Sequence, residues 1–459
     1  MSRPLVVIDI VGLTPALLGE DTPHLNALVN DGFMATLEGV FPAVTCTAQA
    51  SMLTGLPPSG HGIVANGWYF RDLAEIWLWR QSNHLVQGEK VWDAARSANT
   101  EFTCAKLFWW YNMYADVDWS ATPRPIYPAD GRKIPGIYTE PPTLKQSLQE
   151  KLGPFPMFNF WGPASDIRSS AWVAQSAREV FDAHRPGLSL VYLPHLDYNL
   201  QRLGPNDPAI REDLRQIDQV AGELIEHVRA QGAEVMVVSE YGIEQANGSI
   251  DINRILRTAG FLRTQETLGW ELLDPGASHA FAVADHQVAH VYLQRSSDLQ
   301  TVKSLLEKTP GIERVLDAAE KKAFGIDHER AGELVAIAEP GHWFTYYYWL
   351  DENKAPDFAP TVDIHRKPGY DPAELFLDPK LRFPKLRITR RLLQKKLGFR
   401  TLLDVIPTHA DQVQGTHGRL ADDPKQGPLL IGSDRSLAAD EYAMTDIKQL
   451  ILRTLAKSS

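Results

Sequence analysis

Three carboxylate residues lie at or just after runs of apolar residues that are typical of buried strands. Asp9 lies at the end of the first such run, Asp197 follows a second, and Glu240 follows a third. Functional groups of open α/β sheets collect at the carboxyl ends of the strands. Because unpaired carboxylates in one cleft would repel each other, three of them at one sheet edge predict a shared cation.

Thr45 is the candidate nucleophile. It follows the predicted second strand and precedes a helix expected to begin near Thr47 or Ala48. A helix N-terminus stabilises negative charge on an alkoxide or a phosphoryl oxygen. Threonine is also a common helix N-cap, so the local pattern alone leaves the catalytic and capping interpretations both open.

The elements that must position these residues alternate between strand and helix. Strands are predicted at 5–10, 34–41, 101–107, 188–193 and 234–238, with helices at 23–31, 48–55, 169–184 and 211–231. This alternation predicts an α/β fold whose mostly parallel sheet carries helices on both faces.

The stretch 268–398 interrupts the alternation. It combines predicted strands at 280–284, 289–293 and 334–338 with an aromatic, proline-rich segment. We interpret 268–398 as an inserted cap subdomain that selects the substrate, and 1–267 together with 399–459 as the catalytic core.

Composition excludes several classes of protein. Lys+Arg 46 and Asp+Glu 57 give the 459-residue chain a net charge of −11, which argues against a nucleic-acid polymer as the partner. Its 44% hydrophobic and 22% charged residues are typical of a globular protein, and two cysteines cannot form a disulfide framework. With neither a signal peptide nor a long apolar segment recognisable, we expect a cytoplasmic protein without a membrane partner.

The motifs around these residues resemble the type I phosphodiesterase/nucleotide pyrophosphatase branch of the alkaline phosphatase superfamily. Phe41-Pro-Ala-Val-Thr45 resembles its F-P-T-x-T motif, and the segment 51–67 resembles its L-x-T-G and P-x-x-H-G-I-x-x-N motifs. The segments 196–205, 239–242 and 415–418 resemble its later metal-binding motifs, in the family's order. The resemblance implies an alkaline-phosphatase-like three-layer sandwich and a small phosphorylated substrate.

The resemblance further implies two divalent metal ions, usually zinc, that flank a threonine nucleophile. It assigns Asp9, Thr45, Glu240 and Tyr241 to one ion, and Asp197, Gln201 and His417 to the other. Asn66 would hydrogen-bond a non-bridging phosphate oxygen, supported by the backbone N–H of Thr45 or Cys46.

Three of these positions depart from the family pattern. Gln201 and Tyr241 stand where the family has histidines, and Glu240 stands where it has aspartate. Oxygen donors suit Mg²⁺, Mn²⁺ or Ca²⁺ better than a pair of zinc ions. The departures leave three alternatives open: an enzyme with altered metals, a zinc enzyme with replacement ligands, or a non-catalytic binding protein.

The predicted cap contains candidates for ligands that could replace the missing family histidines. Asp363 and His365 lie two residues apart, on one side of an extended segment, and are candidate ligands. Arg366 and Lys367 could bind a substrate phosphate, although a solvated loop explains this segment as well. His286 and His290 lie four residues apart, and the apolar, strand-like residues that flank them favour a structural role for both.

The residues and the family resemblance together predict a metal-dependent hydrolase of phosphoric esters, and the resemblance implies a covalent phosphoryl intermediate on Thr45. Phosphodiesters or pyrophosphates are the expected substrates. The alternatives are a non-catalytic binding protein on the same scaffold, and a phosphomonoesterase, phosphonate hydrolase or phosphomutase of the superfamily. The sequence does not indicate the oligomeric state.

Overall fold

The computed structural model describes residues 3–129, 133–399 and 401–457. Its strands are β1 Leu5–Ile10, β2 Phe33–Glu38, β3 Gly67–Phe70, β4 Glu75–Leu78, β5 Cys104–Leu107, β6 Trp119–Pro123, β7 Ile137–Glu140, β8 Leu188–Leu193, β9 Glu234–Val238, β10 Glu244–Gln245, β11 Gly248–Ile250, β12 Thr264–Thr267, β13 Trp270–Leu273, β14 Ala280–Asp285, β15 Val288–Leu293, β16 Ile312–Leu316, β17 Leu334–Ala338, β18 His342–Phe344, β19 Gly415–Thr416, β20 Leu429–Gly432 and β21 Glu441–Ala443. Its helices are α1 Pro23–Asp31, α2 Thr45–Thr54, α3 Pro58–His61, α4 Val91–Ala98, α5 Pro142–Leu152, α6 Ile167–His184, α7 His195–Leu203, α8 Ile210–Ala230, α9 Ile252–Thr258, α10 Leu299–Glu307, α11 Ala318–Ala323, α12 Pro384–Lys396 and α13 Ile447–Lys457.

A nine-stranded sheet forms the centre of the molecule. Its strand order is β21-β2-β20-β9-β1-β8-β5-β6-β7. The pairings are parallel except those of β20 with β2 and β9 and that of β6 with β7. Helices α1, α6 and α8 pack together on one face, and α2, α4 and α13 pack together on the other. The predicted mostly parallel α/β sandwich is confirmed.

The register of the three central strands sets the position of the site. Asp9 pairs with Tyr192 on one side and with Val238 on the other. The loops that carry Asp197 and Glu240 therefore leave the sheet at the same edge, next to Asp9. This arrangement follows from the parallel pairing of buried strands, whose carboxyl ends meet at one edge.

The second sheet lies within the predicted cap. It has the strand order β14-β15-β17-β16 and is antiparallel throughout. Its β14–β15 turn reaches the central part of the molecule, where the Gln287 N–H donates to the His417 carbonyl at 3.0 Å. The domain boundaries at 267 and 399 remain a prediction.

Helix α2 begins at Thr45, earlier than the predicted start. Its N-cap residue is Val44, so Thr45 is not at the capping position. The Thr45 hydroxyl instead lies within hydrogen-bond distance of the Tyr241 hydroxyl. Among the described residues, no helix is both long and apolar enough to cross a bilayer.

Candidate active site

Thr45 lies at the centre of a buried polar cluster at the carboxyl edge of the central sheet. It is 3% exposed, and its Oγ1 lies 3.1 Å from the Tyr241 hydroxyl. The Tyr241 hydroxyl also donates to Asp197 Oδ1 at 3.4 Å. Tyr241 therefore joins the candidate nucleophile to the carboxylate predicted to serve the other metal ion.

Asp9 and Glu240 form a pair of buried carboxyl groups beside Thr45. Gln49 Nε2 donates to both, at 3.2 Å to Asp9 Oδ2 and 2.7 Å to Glu240 Oε1. Burial raises the pKa of both carboxyls, and the charge of Glu240 raises that of Asp9 further. The other oxygen of each has no hydrogen-bond partner within the described part of the chain. Two such oxygens and a hydroxyl are ligands that a hard cation prefers.

On the other side of the cluster, neutral side chains donate hydrogen bonds to Asp197. Gln201 lies one helical turn after Asp197 in α7, and its Nε2 donates to Asp197 Oδ2 at 2.7 Å. Gln201 Oε1 accepts from the Tyr370 hydroxyl at 2.7 Å. Both ends of the Gln201 amide are thus engaged, and burial raises the pKa of Asp197 to about 7.

Four aromatic rings stack through this side of the cluster. Tyr241 lies on His417 with ring centroids 3.7 Å apart, His417 lies 3.7 Å from His286, and His286 lies 3.6 Å from Tyr370. The His417 Nδ1–H donates to the Ala43 carbonyl at 2.8 Å. Burial holds the pKa of both histidines well below the usual range, so both rings are neutral.

Asp285 connects Asn66 to His286. Its Oδ2 accepts the Asn66 backbone N–H at 2.8 Å, and its Oδ1 accepts from Asn66 Nδ2 at 3.1 Å and from His286 Nδ1 at 2.7 Å. Asn66 Oδ1 in turn accepts the Cys46 N–H at 3.0 Å. That N–H is therefore engaged by Asn66, whereas one of the two amide N–H groups of Asn66 has no partner in the described residues and is available to a ligand.

His286 has an unusual backbone for a non-glycine residue. Its φ of 57° lies in the left-handed region, where a side chain is strained. Its Nε2 is buried and has no hydrogen-bond partner among the described residues. His286 belongs to the polar cluster and is not simply a core residue of the second sheet. The structural role that its apolar sequence neighbours favour stays a prediction.

A buried lysine shapes the aromatic wall next to the cluster. Lys106 Nζ donates to the carbonyls of Trp110 and Tyr111, each at 2.8 Å, and burial lowers its pKa to about 7. The resulting turn directs the Trp110 N–H to Gln49 Oε1 at 2.7 Å. Trp110 also packs on Trp79, with ring centroids 4.8 Å apart. The aromatic wall therefore orients the Gln49 side-chain amide, which donates to Asp9 and Glu240.

The predicted replacement groups of the cap have partners of their own. Lys367 Nζ lies 2.7 Å from Asp371 and 2.8 Å from Glu374, and all three side chains are buried. Arg366 is exposed and pairs with Asp363 at 3.4 Å. His365 is half-buried, with its Nδ1 unpartnered among the residues the structure describes. The residue of this segment that reaches the polar cluster is Tyr370.

The donor set fits a pair of zinc ions poorly. In the described residues, no three His, Cys, Asp or Glu side chains are grouped so that they could hold one metal ion. Asp9, Glu240 and the Thr45 hydroxyl fit a single oxygen-liganded cation, because Asp9 Oδ1 and Glu240 Oε2 are buried without a partner among the described residues and the Thr45 hydroxyl lies beside them. On the other side, the Gln201 amide is engaged, and the buried Nε2 atoms of His417 and His286 have no hydrogen-bond partner in the described part of the chain.

The sheet order and the polar edge define an alkaline-phosphatase-like α/β protein. A family model described as "Type I phosphodiesterase / nucleotide pyrophosphatase" matches residues 5–371. The chain belongs to this family, a family of phosphoric ester hydrolases.

Two curated relatives are similar over part of the chain. An uncharacterised pyrophosphatase/phosphodiesterase of Schizosaccharomyces pombe is 24% identical over 238 residues, which is 50% of this chain and 41% of that protein. A bis(5'-adenosyl)-triphosphatase of Mus musculus is 22% identical over 254 residues, which is 52% of this chain and 47% of that protein. The matches span less than half the length of these relatives.

Solved structures share the fold over nearly the whole chain. Murine ectonucleotide pyrophosphatase/phosphodiesterase 5 matches with a TM-score of 0.61 at 16% identity, covering 99% of this chain and 95% of that one. Phosphonoacetate hydrolase of Sinorhizobium meliloti matches with a TM-score of 0.63 at 14% identity, covering 100% and 96%. An inactive variant of the murine protein has been solved in complex with AMP.

The structure brings together all eight residues that the family motifs singled out: Asp9, Thr45, Asn66, Asp197, Gln201, Glu240, Tyr241 and His417. Sequence reasoning missed five of their neighbours: Gln49, Lys106, Asp285, His286 and Tyr370. Gln49 lies one helical turn after Thr45, a spacing that could have identified it. Lys106 shapes the neighbouring wall through the carbonyls of Trp110 and Tyr111, four and five residues away. Asp285, His286 and Tyr370 reach the cluster through long-range contacts, for which the sequence has no local signal.

Proposed function

We propose that this chain hydrolyses phosphoric esters, with diesters or pyrophosphates as substrates and Thr45 as the nucleophile. The observation that carries the proposal is the position of Thr45. Its side chain is not at the helix-capping position, lies in the first turn of α2 and contacts Tyr241 beside the Asp9–Glu240 pair. The positive end of a helix stabilises the alkoxide and the phosphoryl oxygens together.

In the proposed first step, the Thr45 hydroxyl passes its proton through the Tyr241 hydroxyl to Asp197, and Thr45 Oγ1 forms a bond to phosphorus. The bond from phosphorus to the leaving oxygen breaks, and that oxygen keeps the electron pair and takes up a proton from solvent. Tyr241 holds the Thr45 hydroxyl in place, and the free N–H of Asn66 donates to a non-bridging oxygen of the substrate. Water then attacks the phosphorylated threonine, releases phosphate or a phosphomonoester, and regenerates the hydroxyl. Asp285 keeps Asn66 oriented throughout.

A divalent cation, where bound, would lower the pKa of the nucleophile and neutralise developing charge. Asp9, Thr45 and Glu240 would hold it. Because these ligands are all oxygen atoms, we propose Mn²⁺ or Mg²⁺ as the preferred ion, with zinc less favoured. Isothermal titration of the chelator-treated protein with MnCl₂ measures this binding directly, whether or not the protein is active.

Glu240→Gln should weaken Mn²⁺ binding at least about tenfold, because it removes one of two charged ligands. Glu244→Gln is a matched control of the same chemistry four residues away. It should leave Mn²⁺ binding unchanged. Equal binding by Glu240→Gln and the unmodified protein would show that the cation lies elsewhere.

Thr45→Ala tests the nucleophile. We expect hydrolysis of bis(p-nitrophenyl) phosphate to fall at least about a thousandfold, with the melting temperature little changed. Thr54→Ala, in the last turn of the same helix, is the control, since its hydroxyl donates to the Ala50 carbonyl and accepts the Leu56 N–H, both local to the helix end. Hydrolysis by a well-folded Thr45→Ala protein at the unmodified rate would refute the proposal.

The relatives suggest which substrates to compare. Their names include a pyrophosphatase/phosphodiesterase, a bis(5'-adenosyl)-triphosphatase and a phosphonoacetate hydrolase. A panel of p-nitrophenyl phosphate, bis(p-nitrophenyl) phosphate, diadenosine triphosphate and phosphonoacetate, each with Mn²⁺, Mg²⁺ or Zn²⁺, covers the monoester, diester, anhydride and phosphonate classes. We expect turnover of the diester or the anhydride to exceed that of the other two.

A non-catalytic binding protein is the second candidate. Its supporting observation is that neutral side chains donate hydrogen bonds to both oxygens of Asp197. These side chains, Gln201 and Tyr241, occupy positions where the family has metal-binding histidines. This candidate predicts AMP binding without turnover in the whole panel, and the same lack of turnover in Thr45→Ala. Metal-dependent turnover that Thr45→Ala abolishes would exclude it.

A further inference from the structure

Helix α12, Pro384–Lys396, differs from the rest of the molecule in charge. Between positions 379 and 403 the sequence has no Asp or Glu, and it has nine basic residues: Lys380, Arg382, Lys385, Arg387, Arg390, Arg391, Lys395, Lys396 and Arg400. The chain as a whole has a net charge of −11. The helix is therefore a concentrated positive segment on an acidic protein.

One side of α12 attaches the helix to the protein. Ile388 packs against a small apolar cluster that contains Ala373, Val405 and Ile406. Arg387 and Arg391 both pair with Asp404, the second at 2.8 Å. These contacts fix which face of the helix is turned inward.

The opposite side presents large apolar side chains to solvent. Leu386, Leu393 and Leu397 are spaced seven and four residues apart and so form one stripe along the helix. They are 67%, 55% and 75% exposed. Phe383 and Phe399, which flank the helix, are each 63% exposed. No residue of α12 itself is buried.

The basic residues around this stripe have free charges. Lys385, Arg390 and Lys396 form no ion pair within the part of the chain that the structure describes. Arg390 lies between Leu386 and Leu393 on the same face, and Lys385 and Lys396 lie beside it. Their aliphatic stems can lie along an apolar layer while the charged groups reach anionic groups above it.

We propose that α12, with Phe383 and Phe399, binds the surface of an anionic phospholipid bilayer. The apolar stripe would enter the boundary between headgroups and acyl chains, with the lysines and arginines on lipid phosphates and carboxylates. An exposed leucine stripe bordered by unpaired cations is the pattern of helices that lie in a membrane interface. This binding supplements the catalytic proposal and does not depend on it, and it departs from the expectation that no membrane partner exists.

Two other occupants match the surface less well. The phosphates of a nucleic acid would pair with the basic residues but would leave the leucines and phenylalanines in water. A second copy of this acidic chain would supply carboxylates for the basic residues. A bilayer supplies both an apolar layer for the leucines and an anionic headgroup layer above it for the lysines and arginines. A bilayer is therefore the occupant that uses both features.

The test is co-sedimentation of the full chain with phosphatidylcholine vesicles, with and without phosphatidylserine. We expect binding to the phosphatidylserine vesicles, weakened by salt, and little binding to phosphatidylcholine alone. No binding to either vesicle would overturn the proposal. Binding to a single-stranded RNA oligonucleotide without vesicle binding would overturn it in favour of a nucleic-acid partner.

Two sets of variants separate the contributions of charge and apolar surface. Lys385→Glu, Arg390→Glu and Lys396→Glu combined should weaken vesicle binding by at least about a hundredfold, at about fivefold for each basic residue. Leu386→Ser, Leu393→Ser and Leu397→Ser combined should weaken it at least about tenfold. All six positions are exposed, so the melting temperature should change little.

The matched control is Lys308→Glu, Lys322→Glu and Lys425→Glu combined, which changes the net charge equally at exposed positions outside α12. It should retain vesicle binding within about threefold. If it loses binding as completely as the α12 charge variant, overall charge and not α12 governs the interaction. If the leucine variant binds vesicles normally but abolishes a dimer seen by sedimentation velocity, the stripe is a contact between copies.

Discussion

Replacing Lys367 by methionine removes the cation from a buried group of three charged side chains. Lys367 lies 2.7 Å from Asp371 and 2.8 Å from Glu374, and its side chain is 1% exposed. Although burial lowers the pKa of Lys367, the two carboxylates raise it overall, so the ammonium is charged. Methionine fills a similar volume but leaves Asp371 and Glu374 buried without a counter-ion.

The expected cost is about 3–5 kcal/mol, the usual effect of removing one partner of a buried ion pair. An unfolding entropy of about 2.1 cal/mol/K per residue gives about 1 kcal/mol/K for a chain of 459 residues. The melting temperature of Lys367→Met should therefore fall by about 3–5 °C, as measured by differential scanning calorimetry at pH 8.

The effect should depend on pH in a defined direction. Burial raises the pKa of the Glu374 carboxyl and the charge of Lys367 lowers it. Without Lys367 that pKa rises further, so the folded state binds more protons than the unfolded state. Stability then falls as pH rises, so the deficit of Lys367→Met should be smaller at pH 5 than at pH 8. Lys367→Met combined with Glu374→Gln should recover part of the loss, because one unpaired charge is removed.

Arg366→Met is the control, since it removes the neighbouring charge at an exposed position. Its melting temperature should change by less than about 1 °C. If Lys367→Met melts like the unmodified protein while its KM rises, Lys367 binds the substrate phosphate, as the sequence suggested, and the reasoning from the buried ion pair is refuted.

Two further variants test the polar cluster. Asp285→Asn places an amide NH₂ group against the N–H groups of Asn66, so we expect a melting temperature about 2–3 °C lower. For diester hydrolysis, the factor by which kcat falls should exceed the factor by which KM rises. Unchanged kinetics would show that Asp285 does not position Asn66. Gln49→Leu removes the donor shared by Asp9 and Glu240, and its loss of melting temperature should be partly reversed by Mn²⁺. If Mn²⁺ has no such effect, the two carboxylates do not bind the cation.

Much of the central sheet is predictable from the sequence. The strands Leu5–Ile10, Leu188–Leu193 and Glu234–Val238 have their predicted bounds, as does helix Pro23–Asp31. Continuous apolar runs fix these strands because a parallel sheet is buried on both faces. The same local information predicts that Asp9, Asp197 and Glu240 share an edge, since each follows a strand of that sheet.

Helix α2 was less predictable. Its start at Thr45 precedes the expected start by two or three residues. Residues 45–47 are threonine, cysteine and threonine, whose weak helix propensity gives little local signal. All ten residues of the helix are buried, so tertiary packing determines where it begins.

The sequence by itself determined the fold class, the family resemblance and the eight residues of the motif set, because these depend on local periodicity and fixed spacing. Only the tertiary structure decided which groups surround them. Gln49 donates to Asp9 and Glu240, Tyr370 closes the Gln201 amide, and Asp285 with His286 arrives from the second sheet. Lys367, a candidate phosphate ligand in the sequence, lies in a buried ion pair. The physical reason is that hydrogen-bond partners and burial are set by contacts between residues far apart in the chain, which no local pattern encodes.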